Sequence, residues 1–372
     1  MEVEFQRNGM VAAFAMAAAV VPTRTPMPVL QNVKMEATAD GVFLYATDNS
    51  QGIRVRVGNA DVIKPGECLL PVARFSSIIR ESTDTDIRIT VTDSTVNVKG
   101  KKSKFKFQTT SPGEFPAFRH SLPAKFTEVV AKDFCDITRR TVFARDEASN
   151  RYALQGCMLV FSEKSITAIA TNGRTLALDK CQATQHNGHV TSEGQFTIVA
   201  ADPLASVNKA FSDSEESVRV SVDTNSILVV GENVTFFSRL VEGRFPRVQD
   251  EIERAEKHPH SLTIDAAELS SAIKQASVMT SLESKGIEFV IANNAITMRS
   301  ITAEVGESEV EAACQYEGET LTVVLDGTFL TAYLRTLPSD AKITMKMTDG
   351  GVPVLFIGSE SHRYVVSPMA AD

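Results

Sequence analysis

A short phrase, Gly113-Glu114-Phe115-Pro116, comes back as Gly243-Arg244-Phe245-Pro246, 130 residues later. A second echo runs beside it. Thr47-Asp48-Asn49 stands ahead of Ile53-Arg54-Val55, and Thr171-Asn172-Gly173 ahead of Arg174-Thr175-Leu176, 124 residues on. Solenoid units span roughly 20 to 50 residues, so a period this long is that of a copied small domain. The 372 residues exceed what one hydrophobic core comfortably supports. Three copies are expected, at 1–124, 125–255 and 256–372.

Each copy opens with a helix pattern, at residues 7–20, about 133–142 and 266–278. In the third, Asp265 with Glu268 three residues later forms a capping-box pattern. A second helix sits mid-copy: 72–81 behind Pro71, 204–211 behind Asp202-Pro203, and 327–337 between Asp326 and Pro338. Proline suits a first turn that needs no donor. Period-two stretches follow at 87–91, 218–222 and 343–347, each leading through a short polar or glycine turn to another apolar strand. Asp84-Thr85-Asp86 and Asp213 with Glu215-Glu216 read as acidic turns. The fold class is therefore α+β, three tandem similar domains. In both GxFP phrases Gly permits a tight backbone, Phe serves as an anchor and Pro ends the strand, which reads as domain closure.

An active site is hard to assemble from these residues. There is no GxxxxGK[ST] phosphate loop, no GxGxxG and no GxSxG elbow. His186-x-x-His189 and His258-x-His260 lack neighbouring ligands in a metal spacing; solvated histidines are the plainer reading, a weak surface metal site the sharper one. Cys68, Cys135, Cys157, Cys181 and Cys314 are scattered, with no CxxC, and read as small buried hydrophobes. No cofactor, metal or catalytic residue is expected. Residues 9–22 are too mild and short to span a membrane and lack a signal-peptide pattern, so no membrane partner and a cytoplasmic location are expected.

The net charge of −8 hides an imbalance: residues 1–125 hold 16 Lys+Arg against 12 Asp+Glu, leaving the remainder acidic. An acidic protein can still hold a polyanion if its cations gather on one surface. Arg24 and Arg151-Tyr152 lie in polar loops suited to phosphate contact. Arg7, Arg74, Arg80, Arg139, Arg140, Lys209, Lys274 and Arg335 are spread over the six helices and would line a channel if equivalent helices did. Lys99, Lys101, Lys102, Lys104 and Lys106 form the densest basic run, with Phe105 and Phe107 alternating in its strand. That strand reads either as a protected edge or as a phosphate contact.

The order of several phrases carries a specific likeness: Pro28-Val29-Leu30-Gln31-Asn32-Val33, Ala170-Thr171-Asn172-Gly173-Arg174-Thr175-Leu176-Ala177, Ser238 through Pro246, and Tyr364-Val365-Val366-Ser367-Pro368-Met369. Over its full length the chain resembles the sliding-clamp family, the β subunit of bacterial DNA polymerase III. The resemblance implies a non-catalytic processivity factor, half of a six-domain ring with helices inside and sheets outside. It implies a head-to-tail homodimer around duplex DNA, bound without sequence preference. It maps DNA contact onto Arg24, Arg151 and Tyr152, and the subunit joint onto Ile78, Phe105, Phe107, Val278 and Met279. The lysines of the Phe105 strand would face Glu304, Glu307 and Glu309 across that joint. A pocket for partner peptides maps onto Leu154, Thr171, Gly173, Arg174, Thr175, Leu176, Pro246, Val248, Val365, Val366, Ser367, Pro368 and Met369. Implied partners are the polymerase alpha subunit, the clamp-loader delta subunit, other polymerases and repair proteins. Ala153, Arg174-Thr175, Ser284 and Ala370 depart from the family pattern, so an altered peptide preference is expected. The alternatives are a non-encircling structural or regulatory interaction protein, and an enzyme with a site assembled between domains.

Overall fold

Each copy splits its strands between two sheets, and the middle copy shares both of its sheets with its neighbours. The computed structural model describes residues 1–212, 214–281, 285–302 and 306–369. A nine-stranded antiparallel sheet runs Thr184–His186, Phe126–Val130, Ser217–Val222, Ser226–Val230 and Val234–Arg239, then Gln51–Val57, Gly41–Thr47, Asn32–Thr38 and Gly66–Pro71. The first five strands belong to the middle copy and the last four to the first. An eight-stranded sheet repeats the plan, joining Thr175–Gln182 of the middle copy to Arg363–Val366 of the third. Two sheets stay within one copy. One has five strands, from Ala60–Lys64 to the edge strand Lys104–Gln108; the other has four, from the edge strand Gly306–Ala313 to Leu321–Asp326.

The sharing explains why the chain forms two compact units that cut across the repeat. One comprises Met1–Cys135, Ala183–His189 and Asp202–Leu240; the other comprises Asp136–Gln182, Val190–Ala201 and Val241–Asp372. Within the first unit, helix Arg7–Ala18 buries Met10, Ala13, Phe14 and Ala17 along one stripe. Its alanines let it lie close to neighbouring elements, and Phe14 meets Phe75 of helix Val72–Glu81 edge-on at 4.9 Å. In the second unit, helix Ala266–Ala276 buries Leu269, Ala272, Ile273 and Ala276 into a core that includes Phe289, Tyr333 and Tyr364.

The expected helices form, with two corrections of detail. Asp265 makes no side-chain cap, although it stands at the N-cap position as the last residue of strand His260–Asp265. Glu268 turns instead to the Ala313 N–H, at 2.6 Å. Asp326 does cap its helix, accepting from the Thr328 N–H at 2.8 Å. A seventh helix, Gln249–Glu256, was not expected; it is short and polar, burying only Ile252 and Ala255. The acidic segment around Asp213 has its first residue outside the described residues.

Candidate functional site

The joint between Thr175–Gln182 and Arg363–Val366 builds a concave site from a turn, a strand edge and a returning loop. In the turn, the Thr171 hydroxyl donates to the Thr175 carbonyl at 2.6 Å, and Asn172 Oδ1 accepts the N–H groups of Arg174 and Thr175 at 2.9 and 2.7 Å. Gly173 takes φ +83°, where a side chain would be strained. The turn therefore points Arg174 into solvent and hands its carbonyl to the Ser367 N–H at 2.8 Å. The register pairs Thr175 with Val366 and Leu176 with Val365. Alternation then sends Val366 and Tyr364 into the main core. Val365 goes to the opposite face, into an apolar cluster with Leu176, Phe245 and Val248.

The returning loop is the second GxFP phrase. Gly243 has φ +144°, and a Cβ there would lie 2.9 Å from that of Ala153. Phe245 is buried at 4% exposure and anchors the loop. Above this floor lies a cavity of about 370 Å³ lined by Leu154, Thr171, Gly173, Arg174, Thr175, Leu176, Pro246, Val248, Val365 and Ser367. Arg151, Arg247, Glu251 and Pro353 complete its lining. An apolar floor with a few charged fixing groups suits a linear apolar ligand. Val366, Pro368 and Met369 do not line it. Met369 donates its N–H to Val324 at 2.8 Å and lies beside Gly286. Of the residues missed from sequence, Glu251 belongs to the unexpected helix; Pro353 sits in a turn with no motif. Arg247 lay in the loop already singled out. A larger concavity of about 770 Å³ beside Pro28–Gln31 is bounded by Pro26, Pro71, Thr109 and Glu114. It has no charged cluster besides Glu114 and gathers none of the expected residues.

The candidate DNA residues have several different surroundings. Arg24, Arg151, Arg74 and Lys209 are exposed, as are Lys274 and Arg335. Tyr152 is 69% exposed, whereas its neighbour Ala153 is buried against Gly243. Arg7 donates to the carbonyls of Ile79 and Arg80 at the end of helix Val72–Glu81. Arg80 pairs with Glu81, and Arg139 with Asp136. Arg140 is a correction to the channel-lining reading: it pairs with Asp179, which is fully buried, and with Asp136. A guanidinium needed to neutralise a buried carboxylate is not offered to a phosphate.

Among the expected joint residues, Val278 is 68% and Phe105 38% exposed. Phe107 and Ile78 are buried in their own unit, and Met279 is half-buried. Glu309 already pairs with Arg299 at 2.7 Å. Glu304 and Ser284, together with Ala370, lie outside the described residues.

Two histidines expected to be solvated are not. His189 is buried, with Nδ1 2.7 Å from the Thr127 hydroxyl and Nε2 accepting the Val222 N–H at 3.0 Å. His258 is held by the Thr348 hydroxyl and the Pro353 carbonyl. Among the described residues no group of three or more His, Cys, Asp and Glu converges on a metal-sized site. All five cysteines are buried; burial pushes Cys68 up to about 12 and Cys157 up to about 11, which makes them poor nucleophiles. No described helix is long and apolar enough to cross a membrane.

Comparison with known families matches the chain three times in succession. Residues 1–119 match the N-terminal domain of the DNA polymerase III beta subunit, 128–247 its central domain and 255–370 its C-terminal domain. A beta sliding clamp from Chlamydia muridarum is 26% identical over 94% of this chain and 93% of its own. One from Pseudomonas putida is 25% identical over 99% of this chain and 100% of its own. The solved sliding clamp of Bacillus subtilis superposes with a TM-score of 0.90 at 20% identity, covering 100% of both chains. A Pseudomonas aeruginosa clamp bound to griselimycin gives 0.90 at 22%, again over both full lengths. At such identity the superpositions speak for the fold.

Proposed function

The chain belongs to the DNA polymerase III beta-subunit family, a family of non-catalytic processivity clamps, and from that premise we propose that two copies close head to tail into a ring that encircles and slides on duplex DNA. The observation that carries this reading is the pattern of used and unused sheet edges. Twice within the chain, the last strand of one copy pairs with the third strand of the preceding copy's other sheet: Val234–Arg239 on Gln51–Val57, and Arg363–Val366 on Thr175–Gln182. The equivalent last strand of the first copy is Lys104–Gln108, and the corresponding strand of the third is Gly306–Ala313. Both are sheet edges with no further described partner. One edge of each kind is what a head-to-tail joint consumes, and two such joints close a ring. Lys104 and Lys106 on one edge suit Glu307, Glu309 and Glu311 on the other, with Phe105 and Val278 as exposed apolar seals.

The copies, at 1–124, 125–255 and 256–372 in this reading, would then number six. Arg24, Arg151 and Tyr152 supply sequence-independent DNA contact, with Arg74, Lys209 and the more engaged Arg7, Arg80 and Arg139 as a weaker basic lining. Contacts to phosphates alone leave the protein free to slide. The 370 Å³ cavity receives short apolar peptides of the polymerase alpha subunit, the loader delta subunit and other polymerases and repair proteins. Arg174-Thr175 on its rim sets a peptide preference of its own. Such a clamp acts in the cytoplasm, where the DNA is.

The decisive experiment loads the protein on nicked circular duplex DNA and then linearises the circle. Retention on the circle and release on linearisation are expected; release that ignores linearisation overturns encirclement. Phe105→Arg should convert the dimer to monomer in sedimentation and abolish retention with it.

A further inference from the structure

The first joint of the chain repeats the second almost residue for residue, except at the place where the second has its cavity. Thr47 donates to the Gln51 carbonyl at 2.6 Å as Thr171 does to Thr175, and Asp48 Oδ1 accepts the Ser50 and Gln51 N–H groups as Asn172 does those of Arg174 and Thr175. Asn49 takes φ +76° where Gly173 takes +83°. Arg239 donates to the Ser50 carbonyl as Ser367 does to Arg174. The register then sets Gly52 opposite Phe237, where the second joint has Leu176 opposite Val365. Five residues after the glycine of each GxFP phrase stand Phe118 and Val248.

Those substitutions are complementary in size. A Cβ on Gly52 would lie 2.8 Å from Cγ of Phe118, so the ring occupies the space a side chain would take. Phe118 stacks on Phe237 with centroids 6.2 Å apart and planes 27° apart, and meets Tyr45 and His120 edge-on at 6.2 and 6.5 Å. Its neighbour Arg119 forms an ion pair with Asp223, which fastens the segment at the surface. Val248, by contrast, is one wall of the open cavity.

We propose that the first joint is a second groove of the same design, held shut by the chain's own Phe118 acting as an intramolecular plug, with the aromatic side chain of a linear peptide as the ligand class the uncovered site takes. This rests on reading the second joint as a peptide groove, but the plug itself is tested separately. The bare floor at Gly52 and the flanking rings of Tyr45 and Phe237 form a seat for a phenyl group, and the plug leaves only the second of these two joints open.

The test uses full-length protein and N-acetylphenylalanine amide as probe, followed by aromatic NMR signals. Phe118→Ala should bind the probe about tenfold more tightly than wild type, moving the Tyr45 and Phe237 signals and raising the variant's melting temperature towards the wild-type value. No gain in binding, or a gain that leaves Tyr45 and Phe237 unmoved, overturns the plug. Gly52→Leu guards against a folding failure of the first variant: it should expel the Phe118 ring, so that a fluorine label on it becomes accessible to a soluble paramagnetic reagent. A ring that stays protected there also overturns the proposal. Titration of wild type with a polymerase-derived peptide is the separate control. Loss of that single site would count against the second groove, while the Phe118→Ala result still decides the first.

Discussion

The two GxFP segments have the same residues at three of four places and different physical lives. Gly243 needs its glycine: φ is +144°, and Ala153 leaves no room for a Cβ. Gly113 does not; its φ is not positive, and a Cβ would meet only Ser111 Oγ at 3.6 Å. Phe245 is buried in an apolar cluster, whereas Phe115 is half-buried after the short turn Pro112–Glu114. The expectation of two equivalent anchors therefore holds for one. In the first segment the anchoring passes three residues on, to Phe118. A repeat preserves the route of the chain more strictly than the job of each side chain.

The largest break of this comparison should come from truncating the anchors. Phe245→Ala is expected to cost about 3–5 kcal/mol, the range for a buried aromatic; Phe115→Ala should cost about 1–2 kcal/mol, scaled down for its partial burial. Denaturant midpoints for the two variants measure the gap, and equal shifts would mean that both rings anchor alike. Next come the glycines. Gly243→Ala should destabilise by about 1–3 kcal/mol through backbone strain, and Gly113→Ala should stay within about 0.5 kcal/mol of wild type.

Binding sharpens the contrast further. Pro246 lines the cavity and Pro116 does not. Pro246→Ser should weaken a labelled polymerase peptide by about tenfold, or 1.4 kcal/mol, while Pro116→Ser leaves the affinity alone. A matching loss in both would relocate the groove.

The smallest effect is the share of the pH dependence carried by the first unit's His189. Burial holds its pKa below the ordinary 6.5, and Lys125 adds to the depression. The folded form prefers neutral imidazole, consistent with Nε2 accepting a backbone N–H. Its contribution is thus complete above about 6.5 and is lost as pH falls through the lowered folded value. His189→Gln should flatten the decline in melting temperature between about pH 7 and 5. An unchanged slope would assign that decline to other groups. His362 in the second unit, pushed by burial to about 4 against the opposing pull of Asp179, adds its own loss over the same range, so the share of His189 is read from the difference between the variant and wild type.

The features readable from sequence were those written locally. Helix Val72–Glu81 begins and ends where its proline and apolar spacing put it. The family likeness mapped both Val365 and Val366 onto the pocket, but the alternation of the strand leaves only Val365 to line it and turns Val366 into the core. What could not be read was written in partners far away. Nothing near Glu268 says that the Ala313 N–H will draw it away from a capping box with Asp265, and nothing near Arg140 says that Asp179 will claim its charge. Helix Gln249–Glu256 escaped because only Ile252 and Ala255 mark its buried side, too few for a periodic signal. The sharing of sheets between copies is likewise a matter of long-range pairing, invisible to any window of local pattern.

The pairing of Arg363–Val366 with Thr175–Gln182 also sets a timetable on the ribosome. Every strand of the nine-stranded sheet has been synthesised once Arg239 has left the tunnel, so the first unit can fold while the rest is still being made. The eight-stranded sheet must wait, its centre unclosed, for residues near the end of the described chain. Val365 is a wall of the cavity, so a nascent or prematurely stopped clamp presents no finished groove. Chains interrupted before that strand therefore lack a wall of the cavity, and only molecules translated through Val365 present it whole.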